Sequence, residues 1–238
     1  MKRHRSVSSV GHRSPAFAGF QFPPEVILLA VRWYLRYGLS YRDLEELLAE
    51  RGIDVDHVTL DRWVQRFTPL DHRRRPAMST RGRRSVVVDE TYVKVAGTWR
   101  YVYRAVDQYG QVIDVLVSAK RDAKAAARFF SGMIRSHGEP AEVITDRSPA
   151  LARTIVDLAP ATHHDTTQYA NNRVEADHWR LKARLGPMRG LKHDRSASVV
   201  ITGHAFIQNL RRGHNELGTE APPGLTVAAA FDELARGI

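Results

Sequence analysis

The chain has 238 residues, and its 36 Lys and Arg outnumber 26 Asp and Glu to give a net charge of +10. An apolar share of 43% suffices for a core and excludes wholesale disorder, while the absence of Cys excludes disulfides, thiolate zinc sites, iron–sulfur clusters and cysteine nucleophiles. No apolar run reaches the ~18 residues of a membrane span and no secretory signal stands out, so the expectation is a cytoplasmic, nucleoid-associated protein. Its positive field favours nucleic acid over a membrane surface.

Residues 1–22 carry Lys2, Arg3, Arg5 and Arg13 and no acid, and read as a disordered basic arm. Pro23-Pro24 opens a first helix through Leu35 that Gly38 closes. Ser40 and Asp43 form an acidic variant of the capping box before Leu44, Leu47 and Leu48, a second helix. A third helix starts near Asp56 or Thr59 and ends near Phe67. Three short helices over 23–68 predict a helix-turn-helix domain. The third would enter the major groove and present His57, Thr59, Arg62, Gln65 and Arg66 outward, with Arg62, Gln65 and Arg66 at i, i+3 and i+4. A plain three-helix bundle with a solvated polar face fits the same pattern.

Residues 69–84 lose apolar content, gain Arg and read as a basic linker. The segment 85–218 changes character. Ser85–Val95, Trp99–Val106 and Val112–Ser118 predict an antiparallel meander, because their connections are too short for crossovers. A helix over Asp122–His137, a strand over Glu142–Thr145, a helix over Ser148–Leu158 and a short strand near Thr162–Thr166 follow. Helices from Asn172 to about Leu185 and over Ser196–Glu216 complete the segment. Residues 219–238 form a tail with one short helical stretch, Val227–Leu234. The expected class is α/β, a ribonuclease H-like mixed sheet flanked by helices and preceded by the all-α domain.

Three carboxylates stand out. Asp89 ends a buried Val run, Asp146 follows a strand at its carboxyl end, and Glu175 lies one turn into a helix. Converging like charges repel unless divalent cations join them, and oxygen donors without Cys favour Mg2+ or Mn2+. Two such ions suit phosphodiester displacement. Lys182, seven residues after Glu175, returns to within about 20° of the same helix face, where it can hold a phosphate. Arg173, Arg180 and Arg184 add positive charge around that helix. Each acid also has an ordinary reading: a strand-end salt bridge for Asp89 or Glu90, a helix cap for Asp146, a dipole partner for Glu175. Asp107, Asp114, Asp122 and Asp177 compete for the role. His163-His164-Asp165 reads as a polar strand end rather than a metal site, and His178 is either an assistant to the site or a solvated residue.

Asp89-Glu90-Thr91-Tyr92-Val93-Lys94-Val95 with Trp99–Asp107, then Thr145-Asp146-Arg147-Ser148-Pro149-Ala150, then Tyr169–His178 with Lys182, resemble in order the three catalytic blocks of bacterial insertion-sequence transposases of family six. Val31–Tyr34, Tyr41–Leu44 and Trp63–Arg66 resemble that family's helix-turn-helix region, and the likeness spans about residues 22–216. It implies a DDE transposase with an integrase-type core. By motif, Asp89, Asp146 and Glu175 would bind two Mg2+ and Lys182 would be the basic residue after the acid. The implied reaction nicks terminal inverted repeats, exposes 3′-hydroxyl ends and joins them to target DNA by transesterification, with replicative cointegrate formation by a homodimer or larger synaptic assembly. Two features depart from the pattern: only 28 residues separate Asp146 from Glu175, and Trp179 stands where Gly is common. A catalytically inactive DNA-binding regulator and a stand-alone ribonuclease H-like nuclease are the alternatives.

Overall fold

The structure is a computed structural model, and it describes residues 15–73, 85–146, 148–167, 172–186 and 191–237, with the side chains of 69–73 and 172–177 also outside the description. The basic arm as far as residue 14 and the linker beyond Arg73 therefore lie outside the described residues.

Helix α1 spans Pro24–Arg36, with its Pro in the first turn as expected. Helix α2 spans Tyr41–Ala49 and begins at a reciprocal capping box: Ser40 Oγ accepts from Asp43 N–H, and the Asp43 carboxylate accepts from Ser40 N–H. Helix α3, His57–Arg73, runs further than its apolar pattern indicates. The sheet is built from β1 (Ser85–Val95), β2 (Thr98–Asp107), β3 (Val112–Ser118), β4 (Glu142–Thr145) and β5 (His163–Asp165), in the order β3-β2-β1-β4-β5. β1, β2 and β3 are antiparallel neighbours, whereas β4 and β5 run parallel to β1. α4 (Ala123–His137) and α5 (Pro149–Leu158) cover one face. α6 (Asn172–Leu185), α7 (Asp194–Arg211) and α8 (Thr226–Gly237) follow in the chain. This mixed sheet is the ribonuclease H-like arrangement expected from the element order.

The sheet's two faces carry separate cores. Val86, Val88, Tyr103 and Ala105 pack under α4 and α5 with Phe129, Phe130, Leu151 and Ile155. On the other face α7 is buried along most of its length, and its Asn209 side chain clamps β3 by accepting from Val112 N–H and donating to Val112 O.

The three N-terminal helices do not stand apart. Leu28, Val31, Leu35, Trp63 and Phe67 share one apolar cluster with Val93, Val95 and Val102 of the hairpin, Ile201 and Phe206 of α7, and Phe231 and Leu234 of α8. α7 fits against α1 and α3 at Gly203, where an added Cβ would lie 2.5 Å from a Leu35 methyl and 2.8 Å from that of Thr68. Two further differences from the sequence reading follow from this core. Phe17, Phe20 and Phe22, read as arm, pack on Phe67 and Trp63 of α3. α8 is longer than the expected short stretch and docks on α1, because burying Phe231 and Leu234 repays its ordering. Among the described residues, no helix is long and apolar enough to cross a membrane.

Candidate active site

β4 pairs with β1 only as far as Val88↔Thr145. The next residue on each strand is a carboxylate, Asp89 and Asp146, so the register brings these two backbones together at the carboxyl end of the parallel pair. Beyond Val88, β1 continues for seven residues without β4 beside it. α6 packs against this stretch of β1, and Leu191 adds a bridge at Val95.

Alternation along β1 separates neighbouring acids. Asp89 shares its face with Val87 and Val93, towards α6 and α7, and is 8% exposed. Its Oδ2 lies 3.5 Å from His178 Nδ1 of α6. Glu90 lies on the opposite face, with Arg121 Nε 2.6 Å from its Oε2. Burial pushes the Glu90 carboxyl above its ordinary value, with Arg121 opposing, while Glu90 raises the guanidinium of Arg121. Each acid thus has a basic neighbour: Arg121 for Glu90 and His178 for Asp89. Arg121 also comes within 3.8 Å of Asp146 Oδ2. Asp146 Oδ1 accepts from Ser148 N–H at the entry to α5, so this residue organises a helix start as well as facing the site. Thr145 fixes the local backbone by donating to Asp146 O, and its hydroxyl lies 2.8 Å from His164 Nε2.

Glu175 and Arg173 have their backbones in α6, but their side chains lie outside the described residues, as does that of Asp177. Helical geometry still places position 175 on the face of α6 that carries His178 and Lys182, three and seven residues on. That face meets β1 at both ends: His178 at Asp89, and Lys182 at Tyr92, with Nζ 4.8 Å from the ring centroid. Trp179, on the outer flank, is 71% exposed and crowds nothing inside the protein. Arg180 is exposed.

Arg184 differs from expectation. It is 7% exposed, and its guanidinium donates to the carbonyls of Tyr34 and Leu35 at the end of α1 and sits over the Tyr34 ring. A phosphate cannot reach it, because the end of α1 covers this last turn of α6. The reading face of α3 is also divided. Arg62 and Arg66 are exposed, whereas Gln65 is half-buried and donates to Ser196 Oγ of α7. His57 is exposed with Glu45 at 3.3 Å, and Thr59 bonds Asp56, whose side chain caps α3.

The competing acids have structural work. Asp107 Oδ1 accepts from Tyr109 and Gln111 N–H in the β2–β3 turn, and Asp122 caps α4 through Ala125 N–H. Burial raises Asp114 to about 6. Asp165 holds Thr167. Among the described residues no cluster of three metal-ligating side chains forms, and the Glu175 side chain lies outside them. Arg121 went unnoticed in the sequence: it sits in a loop, 31 residues from Glu90, with no local pattern to mark it.

The arrangement is two carboxylates at the ends of neighbouring strands, beside a basic helix. Residues 83–214 match the DDE domain of IS240-type transposases. The transposase of the insertion sequence-like element IS431mec from Staphylococcus aureus is 41% identical over 170 residues, covering 69% of this chain and 75% of that protein. The chain belongs to the DDE transposases of bacterial insertion sequences. The transposase of IS257 in transposon Tn4003, from the same species, is 40% identical over a stretch of the same length. Among solved structures, this transposase resembles the catalytic core of HTLV-2 integrase, at 17% identity and a TM-score of 0.43 over 65% of this chain and 99% of that one. The catalytic core of BIV integrase gives 18% and 0.43 over 64% and 99%. As a transposase it is a polynucleotidyl transferase that acts on DNA.

Proposed function

We propose that this transposase binds the terminal inverted repeats of its element, exposes 3′-hydroxyl ends there and transfers them to target DNA by direct transesterification. The observation that carries this reading is that the β1–β4 register sets the backbones of Asp89 and Asp146 side by side at its end, with α6, the helix of position 175, touching Asp89 through His178. Asp89 is a buried carboxylate whose oxygens are held by the Glu90 N–H and by His178, which fixes them at the end of the strand pair. Together with Asp146 and Glu175 it makes an all-oxygen donor set, which fits Mg2+ or Mn2+. Two such ions, when bound, activate the attacking oxygen and stabilise the leaving one.

The chain's own residues prepare that reaction. β1 holds Asp89 within a rigid strand, and Asp146 follows β4 directly, with its Oδ1 fixed by the Ser148 N–H. Strand alternation turns Glu90 to the opposite face from Asp89, where Arg121 pairs with it, and so keeps it out of the donor set. Lys182, on the same face as position 175, supplies a cation for the phosphate under attack. As one phosphate–oxygen bond forms to the incoming 3′-oxygen, the bond to the leaving strand breaks. In this reading Arg62 and Arg66, exposed on α3, contact the repeat, with His57 and Thr59 nearer the start of that helix and Gln65 against α7. Arg173 and Arg180 belong to the phosphate-binding surface around α6. A homodimer or larger synaptic assembly brings two ends together.

The deciding experiment is strand transfer with Mg2+ and DNA carrying the repeats that flank the element. Asp89→Asn, Asp146→Asn and Glu175→Gln are each expected to abolish joining while leaving end binding largely intact. Full joining by any of the three overturns the assignment.

A further inference from the structure

The outer half of the β1–β2 hairpin carries an aromatic and basic strip on the sheet face shared with Glu90. The register pairs Glu90 with Tyr103, Tyr92 with Tyr101 and Lys94 with Trp99, so all six residues lie on one face. Its inner part is covered, with Tyr103 stacked on Phe129 of α4. Its outer part is open: Tyr92 is 54% exposed and Trp99 49%. The two rings meet edge to face at 5.0 Å. Each carries a lysine, Lys182 over Tyr92 and Lys94 over Trp99, both at 4.8 Å. The hairpin that holds the strip is tight, since Ala96 and Gly97 both have positive φ, as a two-residue primed turn requires. Arg100, beside Trp99, is tied to Asp194 of α7 at 2.8 Å.

The strip begins at the candidate site. Arg121 links Asp146 to Glu90, and along the same face of β1 Tyr92 with Lys182 and then Lys94 with Trp99 follow. Exposed rings ringed by cations match a partner with flat faces and regularly spaced anionic charge. A second copy of this +10 chain would bring like charge against the two lysines. The bases of an intact duplex hide their faces against one another, whereas an unpaired nucleotide leaves its face free.

We infer that Tyr92 and Trp99, flanked by Lys94 and Lys182, form a stacking platform for an unpaired nucleotide beside the phosphate under attack. The lysines occupy the ring faces without DNA and move to the strand's phosphates when it arrives, freeing the rings. The inference rests on the transposase reading for the presence of DNA at this place.

The test uses the full chain and two duplexes of one sequence, one blunt and one ending in a short unpaired strand with 2-aminopurine as its first unpaired base. Ca2+ in place of Mg2+ keeps the DNA uncut. The wild type is expected to prefer the forked duplex and to quench 2-aminopurine. Trp99→Ala is expected to bind the forked duplex about tenfold more weakly and to lose the quench, with blunt-duplex affinity unchanged. Trp99→Phe is expected to retain the preference, and Tyr92→Ala to lose it in part. Equal weakening on both duplexes, or an unaltered quench in Trp99→Ala, overturns the platform and leaves the transposase reading intact. A wild type that binds neither duplex overturns both. Melting curves accompany each variant, and if Trp99→Ala does not fold, Tyr92→Ala decides by the same comparison.

Discussion

Replacing Asp114 with Asn isolates the cost of one buried carboxyl. Asp114 lies on β3 beneath α4, close enough to Gly132 that a Cβ there would sit 3.8 Å from its Oδ2. Burial raises it from an ordinary 3.8 to about 6, with the Val115 N–H opposing. Between those values the unfolded chain has released the proton and the folded chain still holds it. The stabilisation is therefore complete below about pH 4 and is lost as pH rises to about 6. Two units correspond to about 3 kcal/mol, the ceiling for what a neutral replacement can recover at pH 8. Asn keeps an oxygen for the Val115 N–H but adds an NH2 that must find a partner. The expected gain is then about 1–2 kcal/mol, or roughly 2–8 °C in melting temperature for a chain of this size. Urea or thermal unfolding from pH 4 to pH 8 is the assay. The variant should be more stable at pH 8, and the difference should shrink towards zero at pH 4. A gap that is absent at pH 8, or that does not close on acidification, refutes burial as the cause.

Arg184 should report on the join between α6 and α1. Burial lowers its pKa, and its donors serve the Tyr34 and Leu35 carbonyls. Arg184→Met is expected to cost about 2–3 kcal/mol by denaturant melts, and Arg184→Lys should not restore it, because a point charge cannot span two carbonyls. Gly203→Ala places a methyl where Leu35 and Thr68 already stand. It should destabilise by about 1–3 kcal/mol in the same assay, and a neutral result would mean that α7 can slide along α1.

The sheet was legible because its signals are local. The Val runs of β1 and β3 and the Asp107–Gly110 turn each declare themselves within ten residues, as do the Ser40 cap and the Asp122 cap. Asp89 and Asp146 were legible because strand ends can be read from composition, and one register step then joins them. What escaped the sequence depends on contacts between distant segments. Gln65 looks like a base reader until Ser196, 131 residues away, claims its amide. Arg184 looks like its exposed neighbours until α1 closes over it. Phe17 and Phe20 sit among Pro, Ala and Gly without a helical or strand pattern, and only their packing on Phe67 of α3 explains why they order. No window of sequence contains these partnerships, and none follows from helical periodicity alone.

The single apolar cluster beneath the N-terminal helices sets a rule for rebuilding this enzyme. Cutting the chain between α3 and β1 would bare Val93, Val95, Ile201 and Phe231 to water, and a patch of that kind invites aggregation. A graft of foreign α1–α3 meant to redirect the transposase to another repeat would have to carry the matching surfaces of α7 and α8 with it. Retargeting here is a problem of transplanting a core, with the specificity-bearing side chains only its visible part.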